Sequence, residues 1–348
     1  MENIAAVLYG NNDIRLEKYE VEEPKENEVL IQMASVGICG SDVHYWTKGK
    51  IGDFIVKEPM ILGHESGGIV ARCGPGVKNL QVGDRVAIEP GVPCRVCEYC
   101  KSGRYNLCLD IIFCATPPIH GSLRNYYTHP SDFCYKLPEH VSLEEAALLE
   151  PLSVAVHACR RSGVTAGCCV LVLGAGPIGL LNMMVAKAFG ATKVFITDIS
   201  DSRLDTARSL GADYAVNIKN HTELEMIKEI VQATNGGPNI TIECCGAEAS
   251  VRLGILSTKS GGVICLVGCG PDEVKIPIIN ASAREVDIRG IFRYANCYPI
   301  ALDLVATGRV NVKPLVTHRF SLSETVKAFE TAKEGKGIKI MIKCSNAA

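Results

Sequence analysis

One run of residues constrains this chain more than any other. Val170-Leu171-Val172-Leu173 is an unbroken apolar strand, and it runs straight into Gly174-Ala175-Gly176-Pro177-Ile178-Gly179-Leu180. This is G-x-G-x-x-G between a buried strand and a helix. The first glycine permits the tight turn. The second lets a pyrophosphate approach backbone N–H groups at the helix N-terminus, and the third lets helix and strand pack closely. Asp198 follows 19 residues after Gly179, at the end of the next strand-like run. An acid there accepts hydrogen bonds from ribose hydroxyls and repels a 2′-phosphate, which favours NAD over NADP. The plainer readings are a glycine-rich packing turn and, for Asp198, a cap on the helix that follows. Arg203 either lines the adenine pocket or tolerates a phosphate.

The surroundings suit this turn. Strand-like runs at 169–173, 193–198, 239–244 and 263–267 alternate with helical stretches, the signature of a doubly wound parallel sheet in an α/β protein. Before residue 150 the pattern differs. Short strands near 28–33, 68–71 and 83–88 stand between closely spaced Gly and Pro, as in an antiparallel or barrel-like β domain. A helix is expected over 152–161. From about 291 the pattern is mixed, with helices near 298–307 and 323–335 and strands near 316–320 and 338–344.

At 348 residues the chain is long enough for about two domains. Its 36 Lys+Arg against 38 Asp+Glu, with no basic run, argue against a polynucleotide partner. The longest apolar stretch, 168–191, is broken by Gly174, Gly176, Pro177, Gly179, Asn182 and Lys187, so no membrane span is expected. The N-terminus lacks a basic start and a long apolar core. A cytoplasmic protein with reduced thiols is therefore expected despite 17 cysteines. Cys168, Cys169, Cys244, Cys245 and Cys265 fall in apolar runs and read as small core hydrophobes.

Other cysteines carry chemistry. Cys94, Cys97, Cys100 and Cys108 follow C-x2-C-x2-C-x7-C, four thiols within 15 residues. That density suits a closed, tetrahedral, structural zinc site. A nucleic-acid zinc finger fits poorly, because finger knuckles lie a dozen or more residues apart. A second constellation is spread along the chain: Cys39-Gly40-Ser41-Asp42-Val43-His44, then Gly63-His64-Glu65, then Glu150-Pro151. Cys39, His64 and a carboxylate would make an open three-ligand zinc site, with Asp42 holding the other nitrogen of His64. Each residue alone is more often a packing residue, and spacing does not bring the three clusters together.

Gly63-His64-Glu65-x-x-Gly68, with Gly74, Val77 and Gly83-Asp84-Arg85-Val86, resembles the zinc signature of the medium-chain zinc-dependent alcohol dehydrogenases. The cysteine lobe and glycine turn stand where that family has them, so the resemblance covers the whole chain. Residues 36–46, Phe113-Cys114-Ala115-Thr116-Pro117-Pro118, 149–154 and Phe292-Arg293-Tyr294 resemble its polyol-oxidising branch, of the sorbitol and L-iditol type. The resemblance implies a GroES-like β-barrel catalytic domain, residues 1–150 and 291–348, with the zinc lobe at 94–108, and an inserted Rossmann domain at 151–290. It implies a catalytic zinc on Cys39, His64 and Glu65, with Glu150 a further ligand or one reaching through water. It places Tyr45, Glu150, Arg293 and Tyr294 at the polyol. Gly174, Gly176, Ile178, Gly179, Asp198 and Arg203 would meet NAD, joined by Val267, Gly268, Cys269, Ile291, Phe292 and Arg293. Ser41 and His44 occupy the proton-relay positions. Family members are commonly homotetramers or dimers.

The chemistry so implied is reversible oxidation of a secondary alcohol to a ketose. Zinc acidifies the hydroxyl, and hydride passes to C4 of the nicotinamide. Xylitol or another polyol, a threonine-type or simple-alcohol zinc dehydrogenase, and a catalytically silent NAD-binding protein of the same fold are the competing readings.

Overall fold

The strand Cys169–Leu173 lies inside a six-stranded, wholly parallel sheet. Its order is Tyr214–Asn217, Lys193–Asp198, Cys169–Leu173, Ile240–Glu243, Val263–Leu266, Asp287–Gly290. Numbered along the chain this is 3-2-1-4-5-6, the doubly wound order. Helices cover both faces, which is why the inner strands are apolar throughout instead of alternating. The helix Pro177–Ala188 starts with proline in its first turn, where the missing N–H costs nothing. It is buried continuously from Gly179 to Ala186. Leu171, Leu173 and Phe195 pack against Met226, Ile230 and Leu253. The order reverses between Cys169–Leu173 and Ile240–Glu243, and such a reversal opens a crevice at the carboxyl ends of the strands.

This computed structural model describes residues 2–345. The sheet belongs to one of two compact units, Pro151–Cys297; residues 2–150 and 298–345 form the other. In that unit Glu28–Gly37 is the organising strand. It pairs antiparallel with Glu65–Cys73 along one edge. Its other edge is shared by Tyr126–Pro130 over residues 28–32 and by Lys339–Lys343 over residues 35–37. Arg85–Ile88, Cys134–Lys136 and Val316–Ser321 extend this seven-stranded sheet. A second sheet joins Asn3–Gly10 to Asp13–Tyr19 and Met60–Ile61. Val7, Leu8, Ile31, Met33, Ile61, Val70, Ile88 and Phe329 fill the core of this unit.

The helix expected from residue 152 runs over Leu143–Ser162, straight through Pro151. The reason lies upstream of the proline. The Ser142 hydroxyl accepts from Glu145 N at 3.2 Å while the Glu145 carboxylate accepts from Ser142 N at 2.8 Å. This capping box fixes the start, and the helix absorbs the bond that proline removes. Among the described residues no helix is long and apolar enough to cross a membrane.

Candidate metal centres and dinucleotide cleft

The catalytic-type donors come together although they sit on different elements. Cys39 caps the helix Gly40–Lys48, and Glu65 opens the strand Glu65–Cys73 directly after His64. Ligand atoms of Cys39, His64 and Glu65 lie within 4.8 Å of one another. Asp42 ties these segments. Its Oδ2 accepts from Cys39 N at 3.1 Å, and its Oδ1 accepts from Gly63 N at 3.2 Å. Oδ1 also stands 3.4 Å from His64 Nδ1. That nitrogen is buried and has no hydrogen bond of good geometry. Burial opposes charge on His64, but Asp42 and the Cys39 thiol outweigh it and raise the imidazole pKa well above its usual range. A soft thiolate, an imidazole and a carboxylate at this separation fit zinc, and Asp42 at Nδ1 leaves Nε2 as the ring's ligand atom.

Two features of Glu65 arise only in the folded chain. Its carboxylate fills the space that a β-carbon on Gly37 would take. It also accepts from Lys339 Nζ at 2.7 Å on both oxygens, in a buried ion pair. Lys339 donates further to Ile38 O at 3.2 Å. The available signal was a lysine inside Ile338-Lys339-Ile340-Met341-Ile342, since an inward-facing cation in an apolar strand requires a partner.

Ser41 and His44 lie half-buried on the helix that Cys39 caps, one turn apart. Burial and Lys48 lower the His44 pKa. Tyr45, on the same helix, is buried. Glu150 is buried on Leu143–Ser162. It stands outside the 4.8 Å donor cluster but close enough for its charge to help raise the Lys339 pKa.

The four lobe cysteines also converge within 4.8 Å. Cys97 Sγ lies 3.5 Å and Cys94 Sγ 3.9 Å from Cys100 Sγ. The N–H groups of Val96 and Cys97 pull the Cys94 thiol down to about 7. Four thiols converging at this separation fit a structural zinc. Tyr105, inside the lobe, donates to Glu89 Oε1 at 2.6 Å, and Tyr135 donates to Oε2 at 2.8 Å. Burial raises the Glu89 pKa. Beneath Glu89 runs a buried chain, from Cys114 Sγ to Tyr127 OH at 2.8 Å, on to His129 Nδ1 at 3.2 Å, and from Nε2 to Glu89 O at 2.8 Å.

In the other unit a cleft of about 560 Å³ opens at the carboxyl ends of the strands. Gly174, Gly176, Asp198 and Arg203 line it, with Ile199, Cys245, Ala247 and Ser250. Gly174 takes φ +99°, and a β-carbon on Gly179 would strike the Gly174 carbonyl oxygen. Ile178 and Gly179 form the first turn of the helix behind the cleft. Asp198 Oδ2 accepts from Ala175 N at 2.7 Å and Oδ1 from Ser200 N at 2.9 Å. Asp198 therefore binds the glycine turn to its own strand end, and each oxygen keeps a lone pair for a ligand. The helix cap itself is Ser200. Cys245, expected in the core, is exposed on the cleft wall. Glu243, one strand end away, accepts from Cys245 N and Gly246 N at 2.8 and 2.9 Å, and its carbonyl accepts from Val267 N and Gly268 N at 2.9 Å. Cys269 follows, exposed. Ile291, Phe292, Arg293 and Tyr294 follow the strand Asp287–Gly290; Arg293 takes φ +50° and lies 4.7 Å over the Phe292 ring, and Tyr294 is buried.

Residues 25–139 match the model of the alcohol dehydrogenase GroES-like domain, and residues 177–307 that of the zinc-binding dehydrogenases. The chain belongs to the zinc-binding alcohol dehydrogenase family. Its similarity then narrows. It is 56% identical to sorbitol dehydrogenase of Gallus gallus over 343 residues, 99% of this chain and 97% of the relative. It is 55% identical to that of Bos taurus, covering 99% and 96%. A crystal structure of an oxidoreductase/dehydrogenase of unknown specificity from Escherichia coli superposes with a TM-score of 0.94 at 38% identity, covering 99% of this chain and 100% of that one.

Proposed function

We propose that this protein is an NAD-dependent zinc dehydrogenase that reversibly oxidises a polyol of sorbitol or L-iditol type to the ketose. One observation carries the reading: the Cys39–His64–Glu65 cluster occurs in a chain more than half identical, over nearly all its length, to enzymes named sorbitol dehydrogenase. Residues 1–150 and 291–348 serve as the catalytic domain and 151–290 as the NAD-binding domain, with 291–297 packed in the same compact unit as the NAD-binding sheet. The protein works in the cytoplasm as a homo-oligomer, a tetramer or dimer.

Cys39, His64 and Glu65 hold the catalytic zinc, Glu150 completes its surroundings, and Cys94, Cys97, Cys100 and Cys108 hold the structural one. Bound zinc supplies Lewis acidity toward the substrate hydroxyl, and bound NAD supplies the hydride acceptor. Asp42 fixes the His64 ring by its charge beside Nδ1. Ser41 and His44 carry the released proton outward; a neutral His44 can accept it, consistent with its lowered pKa. Tyr45, Glu150, Arg293 and Tyr294 hydrogen-bond the outer hydroxyls and set the reacting carbon in place. Asp198 takes the ribose hydroxyls, while Gly174, Gly176, Ile178 and Gly179 admit the pyrophosphate. Arg203, Val267, Gly268, Cys269, Ile291 and Phe292 complete the cofactor contacts.

The test combines elemental analysis with NADH formation from sorbitol, L-iditol, xylitol and a simple secondary alcohol. Two zinc ions per chain and NADH formation from a polyol are expected. The variant His64→Ala should keep one zinc and lose the activity. A wild-type protein with zinc in the lobe alone, inert toward every polyol, would refute the reading.

A further inference from the structure

We propose that Lys339 is a positioning residue for the metal centre, holding the Glu65 carboxylate partly neutralised so that zinc there stays electrophilic. This rests on the zinc-dependent reading above. All three ammonium hydrogens of Lys339 have acceptors on the site: both oxygens of Glu65 at 2.7 Å, and the carbonyl of Ile38, the residue before Cys39, at 3.2 Å. Side-chain exposure is 4% for Lys339 and 1% for Glu65, so water screens the pair little. The geometry is imposed by the sheet. Lys339 opens the strand Lys339–Lys343, which pairs with the end of Glu28–Gly37, and Glu65 is the register partner of Gly37 on the opposite edge.

The charge count shows what the ammonium does. A thiolate and a carboxylate together cancel a doubly charged zinc ion; Asp42 adds a further negative charge behind His64, and buried Glu150 another within reach of Lys339. A centre so neutralised polarises a hydroxyl weakly. A buried cation on the carboxylate withdraws its charge and orients it, so that Glu65 binds the metal without quenching it. A lysine that served only to fill or brace the sheet would not make this distinction.

The experiment compares Lys339→Met and Lys339→Arg, each with Glu65 and with Glu65→Gln. Three quantities are read: release of the Cys39–His64 metal to a chelator, the visible spectrum of the cobalt-substituted site, and steady-state kinetics. Lys339→Met should release metal no faster than wild type and shift the cobalt bands, because Glu65 becomes a stronger donor. Its kcat should fall about tenfold or more, with the KM for NAD within about twofold. Lys339→Arg should recover most of kcat. With Glu65→Gln, adding Lys339→Met should change kcat less than about threefold, because its target has gone. Faster metal release without a cobalt shift, or equal losses of kcat in both backgrounds, overturns the proposal. If Lys339→Met does not fold, Lys339→Gln, which also removes the charge and keeps Glu65, is read in its place against the same outcomes. Absence of metal at Cys39 and His64 in the wild-type protein overturns the zinc reading itself, and is seen before any variant is made.

Discussion

Gly37 and Glu65 face one another across neighbouring antiparallel strands, and the carboxylate of Glu65 occupies the volume a side chain at Gly37 would need. The missing β-carbon is thus part of the metal centre. Gly37→Ala should push Glu65 away from Cys39 and His64. Overpacking of this kind costs roughly 1–3 kcal/mol. Zinc analysis should fall from two ions toward one per chain, with loss of polyol oxidation. Full zinc content and unaltered kinetics would show that the carboxylate has room to move.

The lobe should behave as a separate, structural centre. Cys97→Ser removes one thiolate of four and should lose one zinc while the Cys39–His64 site stays loaded. The thermal midpoint should drop, because Tyr105 of the lobe is bonded to buried Glu89. Unchanged metal content by elemental analysis would contradict this.

His129 predicts a pH dependence. Burial lowers its pKa to about 4, with Arg95 adding to the shift and the Glu89 carbonyl and Asp132 opposing it. The ring is held neutral, accepting at Nδ1 from Tyr127 and donating from Nε2 to Glu89 O. Between pH 6.5 and 4 the unfolded chain binds the proton more readily than the folded one. The contribution is therefore fully present above pH 6.5 and lost as pH falls toward 4, by roughly 3 kcal/mol. Denaturant titrations at pH 7.5, 6 and 5 should show a steeper acid loss for wild type than for His129→Gln. Parallel curves would assign the acid sensitivity elsewhere.

Asp198 has two separable roles. Its negative charge should make NAD strongly preferred over NADP. Asp198→Ala should narrow that gap in kcat/KM, mainly by ending repulsion of the 2′-phosphate. It also removes the charged acceptor for Ala175 N and Ser200 N, worth roughly 1.5–3 kcal/mol each, so NAD binding and stability should both weaken. Equal use of both cofactors by wild type would place the ribose elsewhere.

Arg293→Ala should discriminate between substrates. Losing a hydrogen bond from a charged donor costs roughly 1.5–3 kcal/mol, or about ten- to a hundredfold in kcat/KM. The loss is expected on sorbitol and should be smaller on a short secondary alcohol. Equal losses on both would make Arg293 a support of the cofactor or of its own loop, where it adopts φ +50°.

What the sequence determined alone was local in origin. The glycine turn is readable because strand, turn and helix start are contiguous, and Gly174 needs its positive φ whatever surrounds it. The lobe is readable because four thiols within 15 residues have few places to go except a common centre. Resemblance then supplied the grouping of Cys39 with His64 and Glu65, which spacing alone left open. Tertiary structure decided the rest. Lys339 meets Glu65 across 274 residues, through a strand register that no spacing encodes. Proline at 151 marked a helix start in the sequence, yet a capping box nine residues upstream overruled it. Cys245 read as core from its apolar neighbours, yet it lies past the end of Ile240–Glu243, where the chain turns out onto the cleft. In each case a side chain's burial and partners were set by the packing of distant segments, and local chemistry does not specify that packing.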